Sequence, residues 1–150
     1  MDSEQTAGAD GGGPAALHLQ ELVYFLGAHL DRAPGVLWPE HDHPAVRDRT
    51  DPGALERLAH DLSRLTGLSA RCETPGPAGA GLAGGGHLLV HQTRRTALWR
   101  LRHDPDGGRA ASFRWHLRPG EVLYVPARWS WHAEPAPGSR SVVTRLAAPG

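Results

Sequence analysis

The chain contains no lysine, no asparagine and no isoleucine, and only one cysteine in 150 residues. Each absence excludes something. With Cys72 as its sole thiol, no internal disulfide can form, and a reducing, cytoplasmic location is expected. Without lysine there is no Schiff-base nucleophile and no ammonium clamp for a carboxylate cosubstrate. Basic and acidic residues number 16 each, so the formal charge is zero, and no electrostatic footprint for nucleic acid or an anionic membrane is present. No apolar run approaches the ~20 residues that a membrane helix needs, and no basic-then-apolar leader is visible. The abundance of glycine (19) and proline (13) beside arginine and alanine fits a GC-rich coding bias. A soluble single domain is expected, long enough to bury a core without disulfides or a structural metal.

Residues 1–14 have almost no apolar side chains and end in a glycine run, so a disordered tail is expected there, followed by one domain over 15–150. From Ala15 to Asp31 the apolar residues Leu17, Leu19, Leu22, Val23, Phe25, Leu26 and Leu30 form a broad helical stripe, and Pro34 ends it. Asp51-Pro52 opens a second helix with an N-cap and a first-turn proline. Leu55, Leu58, Ala59, Leu62 and Leu65 continue it at helical spacing, and Gly67 stops it. The remainder reads as about seven short strands, near 68–73, 87–92, 98–103, 113–117, 121–125, 129–132 and 141–146. The Pro/Gly/Ala stretch 75–86 reads as a flexible loop. Two N-terminal helices before a mainly β region suit a small jelly roll or barrel.

The segment Leu117–His132, LRPGEVLYVPARWSWH, holds the most information. Pro119-Gly120 sets a tight turn, and Val122-Leu123-Tyr124-Val125 is an apolar strand bounded by breakers. Beyond Pro126, alternation sends Trp129 and Trp131 to one side and His132 to the other. The segment resembles the late-barrel signature of JmjC-type cupins related to ribosomal oxygenases, L-x-P-G-D-x-L-Y-x-P-x-G-W-x-H. Glu121 stands for the aspartate and Arg128 for the glycine. FLGAHLDRAPGVLW at 25–38, HLLVHQTRRTALWRL at 87–101 and SRSVVTRL at 139–146 are similar to further family segments in the same order.

The resemblance implies a double-stranded β-helix (cupin) core and, in active members, Fe(II) with 2-oxoglutarate. It carries the closing histidine, an iron ligand, onto His132. The H-x-D motif that should precede the position of Gln92 is absent, because residues 81–86 read Gly-Leu-Ala-Gly-Gly-Gly. Ala97 stands where the lysine for 2-oxoglutarate is expected. The expectation is therefore a degenerate, non-catalytic binding or interaction module without a cofactor. Its partner would be a small molecule or a protein, a second copy of the chain included, and not nucleic acid or membrane. The competing expectation is an oxygenase-like enzyme holding Fe(II) or another divalent metal at an atypical site, where His132 recruits His87, His91 or the pair His41 and His43.

His87 and His91 share strand parity, and the favoured reading leaves both wet while Leu88, Val90 and Gln92 face inward. Glu40-His41-Asp42-His43 has the residue types of a metal site but no third ligand at recognisable spacing, so a solvated connector is favoured. His18, His29 and His60 read as surface residues of helices, His103 as a satisfied strand residue and His116 as wet. Trp99 and Trp115 fit core positions. Trp129 and Trp131 near the mouth, with Trp99 and Tyr124, are candidate pocket walls.

Overall fold

The computed structural model describes residues 13–46, 52–73, 79–82 and 86–149. Two helices cover one face of a two-sheet β structure. The elements are α1 (Pro14–His29), β1 (Gly35–Leu37), a short 3-10 turn (Pro44–Val46), α2 (Pro52–Thr66), β2 (Ser69–Glu73), β3 (Gly79–Leu82), β4 (His87–Arg94), β5 (Ala97–His103), β6 (Ala111–Leu117), β7 (Val122–Val125), β8 (Ser130–Pro135) and β9 (Arg140–Ala147). A five-stranded antiparallel sheet runs β1-β7-β4-β9-β2, and a four-stranded one runs β3-β8-β5-β6. This is the mainly β, cupin-like arrangement that the strand pattern implies.

Of the expected tail, Pro14 already belongs to α1, where its missing N–H costs nothing; residues 1–12 lie outside the described residues. Helix α1 buries His18, Leu19, Leu22, Phe25 and Leu26. Positions 18, 22, 25 and 26 form one stripe at helical spacing, so His18 is on the core face. Helix α2 buries Ala54, Leu58 and Leu62, whereas Leu65, expected in the stripe, stays 43% exposed. Its Thr66 hydroxyl donates to the Leu62 carbonyl (2.6 Å) and receives the N–H of Leu68 (3.2 Å). Gly67, at φ 77°, takes the left-handed position that ends the helix. The expected Asp51 cap lies outside the described residues.

Two strands escape the sequence pattern. Three-residue β1 pairs with β7 (Val36 opposite Leu123). Strand β3 pairs with β8 (Gly81 opposite Trp131) inside the stretch expected to be a loop. Backbone pairing in β3 needs no apolar side chains, which is why a glycine-rich run hides it.

Strands β4 and β7 occupy the middle of the larger sheet, and both of its faces are covered. Residues His87 through Gln92 are all buried, as are Val122 through Val125. One face packs Leu88, Val90, Leu123, Val125 and Val143 against Trp99, Leu101, Leu117, Trp129, Trp131 and Ala133 of the smaller sheet. The opposite face packs Leu89, Val122, Tyr124 and Leu146 against the buried stripes of both helices. Each such side chain contributes roughly 1.5–3 kcal/mol when fully buried.

The Pro119-Gly120 turn is held by Glu121. Its buried carboxylate accepts from the Arg118 N–H (2.7 Å), the Trp115 indole N–H (3.2 Å) and the Arg118 guanidinium (3.4 Å). Gly120 adopts φ 91°, the conformation that glycine alone takes without strain. Trp115, expected in the core, is 37% exposed because β6 is an edge strand.

Candidate functional site

The interior between the sheets is where the resemblance places a metal. Its lining is apolar, and Trp99 and Trp131 meet there with ring centroids 5.4 Å apart and planes inclined at 46°. Neither indole N–H finds a hydrogen-bond partner. Trp99, Trp129, Trp131 and Tyr124 are at most 8% exposed. The expectation that they wall an open pocket is thus corrected: Trp99, Trp129 and Trp131 fill the space, and Tyr124 packs on the opposite face of the larger sheet. Trp129 and Trp131 each also reach a surface groove with one edge.

His132 does not enter this interior. On β8 the residues alternate, with Trp131 and Ala133 buried and His132 and Glu134 outside. The imidazole is 47% exposed, with Nδ1 3.3 Å from Glu134, which also pairs with Arg100 on the neighbouring strand. Counted from Pro126, the signature P-x-G-W-x-H ends at position 131, a tryptophan here. The histidine stands one residue later, and one residue on a strand reverses the face. Assignment of His132 to an interior metal is corrected accordingly.

The Fe(II) and 2-oxoglutarate implied by the resemblance do not fit this interior. A ferrous site needs imidazole and carboxylate donors around an open position. Among the described residues, the inward side chains of β4 are Leu88, Val90 and Gln92. The Gln92 amide nitrogen donates to the carbonyls of Arg94 and Arg95 (both 3.0 Å) and to Ser139 Oγ (2.8 Å). Positions 74–86 contain no histidine, cysteine or acid at all. Among the described residues no donor set faces that interior.

The histidines gather on the other face. His87 and His91 are 7% and 2% exposed, not wet. Inward alternation of Leu88 and Val90 is as expected; the outward face is dry because the helical layer covers it. The two are four strand residues apart, about 13 Å, too far to share one ion. His87 Nδ1 lies 2.8 Å from the Tyr124 hydroxyl and accepts the Ala127 N–H (3.2 Å), while Nε2 is 3.8 Å from the Asp31 carboxylate. The Asp31 N–H donates to the Tyr124 oxygen (3.1 Å). Burial pushes the phenol up to about 12 and lowers the His87 imidazole, against the pull of Asp31.

His91 instead joins His18 of α1 and His43 of the connector, which are distant from it in sequence. Its Nε2 lies 3.2 Å from His18 Nε2, with ring centroids 5.3 Å apart. The His43 ring is 5.9 Å from that of His18. His18 and His43 are 2% and 3% exposed, so the expectations of a surface His18 and a solvated His43 are corrected. The physical cause is the connector after β1, which folds over α1 and β4. His18 Nδ1 lies 2.6 Å from the His41 carbonyl, and His43 Nδ1 accepts the Ala45 N–H (3.0 Å).

At the rim, Glu21 accepts the N–H groups of Glu40 (2.7 Å) and His41 (3.1 Å) and lies 3.3 Å from His41 Nδ1. Burial opposes ionisation of Glu21, but these contacts outweigh it and lower its pKa. Burial, and then the neighbouring His18 and His43, hold the His91 imidazole well below its usual value; burial also lowers His18. The helical spacing of position 18 was the signal that could have placed it here. Nothing local marks its meeting with position 91.

A third feature is a groove of about 510 Å³ at the mouth. Asp31, Arg32, Asp104, Asp106 and Arg128 surround the edge of Trp129. The indole stacks on His103 (5.3 Å, 19°), and Asp31 and Arg128 sit at φ 60° and 71°. Such left-handed conformations in non-glycine residues cost energy and concentrate at binding sites.

No protein-family model matches the chain, and no curated protein matches it significantly. Solved structures do. A structure of YcfD, a ribosomal oxygenase from Escherichia coli, superposes with a TM-score of 0.53 at 15% identity over 84% of this chain and 51% of that one. A second crystal structure of that protein gives 0.51 at 16%, over 85% and 51%. Its complex with cobalt and 2-oxoglutarate gives 0.50 at 16%, over 85% and 51%. The chain spans about half the length of these structures. Among the described residues no helix is long and apolar enough to cross a membrane. The chain therefore has a cupin-type fold, like that of these ribosomal oxygenase structures.

Proposed function

We propose that this chain is a non-catalytic binding module built on an oxygenase-like cupin scaffold. One observation carries the reading: the side chain of Trp131 fills the interior where the signature histidine would point, and no imidazole or carboxylate on a described strand replaces it. A filled interior leaves neither an open metal position nor room for a dicarboxylate beside it. The mouth groove supports binding there instead. Three carboxylates and two guanidinium groups around an aromatic edge suit a small zwitterionic molecule or a peptide with both charges.

The test supplies purified protein with Fe(II), ascorbate and 2-oxoglutarate and follows succinate and carbon dioxide. No turnover above the metal-only background is expected, and no 2-oxoglutarate binding by calorimetry. Iron-dependent succinate formation that His132→Ala abolishes would overturn the proposal and restore the oxygenase reading. Probes for the groove itself are free arginine and an Arg-Asp dipeptide, with Asp104→Ala and Arg128→Ala as the weakened variants.

A further inference from the structure

Strand β6 has a neighbour on one side only, so one set of its N–H and C=O groups is left without a strand partner among the described residues. Its pairing with β5 runs unbroken from Ala111 opposite His103 to Leu117 opposite Ala97, without a bulge. The strand contains no proline, and only Leu117 of its seven residues is buried. Proline, a bulge, a covering element or a charged side chain are the usual ways of blocking such an edge. Strand β6 has only the last, in Arg114.

Cross-strand register arranges the outer face of the smaller sheet in rows. His132, Arg100 and Arg114 lie directly opposite one another on β8, β5 and β6, and Ser130, Arg102 and Ser112 form the next row. Like charges directly opposite each other are destabilising. The carboxylates nearby are engaged by other residues. Glu134 pairs with Arg100 and lies 3.3 Å from His132, Asp104 pairs with Arg102, and Glu121 with Arg118. Among the described residues Arg114, at the edge end of its row, pairs with no carboxylate. The other side of the edge is aromatic: the rings of Phe113 and Trp115 stack 6.3 Å apart, and Trp115 is 37% exposed. A shallow groove of about 440 Å³ opens beside it. Thr96, Arg114, Trp115, His116 and Arg118 line this groove, and none of them is acidic.

We propose that the free edge of β6 receives an extended acidic segment of a partner protein as an added strand of the smaller sheet. Main-chain hydrogen bonds hold the segment, and its side chains alternate between the two faces. A carboxylate opposite Arg114 supplies the counter-charge that its row lacks at the edge. Apolar side chains in the alternate positions cover Phe113 and Trp115. Charge decides against a second copy of the chain as the occupant. Antiparallel self-pairing about the strand centre sets Arg114 opposite Arg114, the like-charge arrangement that destabilises a sheet. No residue of β6 lines the mouth groove, so this inference does not rest on ligand binding there.

The probe is a capped, fluorescein-labelled heptapeptide with valine at odd and glutamate at even positions, titrated into the full chain and followed by fluorescence polarisation. One peptide per chain is expected. Amide hydrogen exchange should slow over residues 111–117 and not at the other sheet edge, 69–73. Arg114→Glu should weaken binding by more than about tenfold, because like charges then face each other. The same variant should instead bind a peptide with lysine at the even positions. Arg114→Gln, expected to fall between, keeps the test valid if the charge reversal unfolds the protein, as judged by circular dichroism. Methylating the peptide's backbone nitrogens at odd or at even positions should abolish binding in one case only, since alternate N–H groups of an added strand face the ladder. No binding to folded wild type would overturn the proposal. Equal affinity for a peptide with its glutamates grouped at one end would do the same, by reducing the contact to unspecific charge. Binding lost in Arg128→Ala but not in Arg114→Glu would put the peptide in the mouth groove and overturn it too. So would a wild-type dimer that the peptide dissociates, which gives the edge to a second copy. None of these results depends on the succinate assay or on the dipeptide, so this inference and the binding-module proposal fail separately.

Discussion

Strand β4 has two interiors. On one side Leu88 and Val90 meet the indoles of the smaller sheet; on the other His87, Leu89 and His91 meet the helical layer. Both sides exclude water, yet one is almost wholly apolar and the other contains imidazoles, a phenol and the rim carboxylates. The difference separates scaffold from chemistry. The space between the sheets, where a cupin-type metal site was expected from the sequence, is the packed compartment. Polar side chains have collected instead where α1 and the connector cover the sheet.

The largest expected effect comes from opening the packed side. Trp131→Ala removes a side chain that is 8% exposed and touches Trp99. Loss of buried aromatic volume and the cavity left behind should cost about 3–5 kcal/mol in urea-unfolding free energy. A loss below about 1 kcal/mol would mean that the barrel interior is loosely filled and a ligand pocket there is tenable.

The helical side should respond to protons. His91, His18 and His87 are all held below the ordinary histidine value of 6.5, mainly by burial. The unfolded chain therefore binds more protons than the folded one once pH falls below about 6.5. Stability is fully present above that value and is lost as pH falls toward the depressed folded values. The limiting slope is about 1.4 kcal/mol per pH unit for each such group. Urea midpoints measured in chelator between pH 7.5 and 5 should decline, and His91→Leu should flatten the decline. A midpoint that does not change with pH would show that the imidazoles remain hydrated.

How much of this was legible beforehand depended on whether a local pattern carried it. The Leu117–Val125 strand and turn were readable because proline, glycine and four β formers act within a few residues. Alternation along β5, with Trp99 and Leu101 inward and Arg100 and Arg102 outward, was equally plain. Alternation also gave the two sides of β4, but not whether the second side is covered. That depends on α1 and residues 38–46, remote in sequence. His18 was treated by its polarity instead of its spacing, and so the contact with His91, 73 residues away, was missed. Alternation beyond Pro126 set His132 opposite the tryptophans, as it stands in β8; only the metal role carried by the motif put it inside, although one residue of register decides the face.

Between the two sides in expected size stands Tyr124→Phe. The phenol links the Asp31 N–H to His87 Nδ1 beneath the mouth groove. Deleting the oxygen leaves a backbone donor with one partner fewer, at a cost of about 1–2 kcal/mol. If the groove is a binding site, affinity for the charged probes should fall with it, because Asp31 belongs to both. Stability unchanged to within a few tenths would show that water replaces the hydroxyl.

The smallest effect should come from the residue that the sequence most strongly recommended. His132 projects from the outer face of the smaller sheet, half exposed, beside Glu134 and Arg100. Exposed ion pairs of this kind contribute roughly 0–1 kcal/mol, and Glu134 keeps Arg100 when the imidazole is removed. His132→Ala should therefore shift the unfolding free energy by less than about 0.5 kcal/mol and leave groove affinity and the pH dependence of the helical side as they are. A destabilisation of several kcal/mol would place that imidazole inside after all. It would mean that β8 pairs one residue out of the register described, with Trp131 on the surface, and the contrast between the two sides of β4 would have to be redrawn from that strand outward.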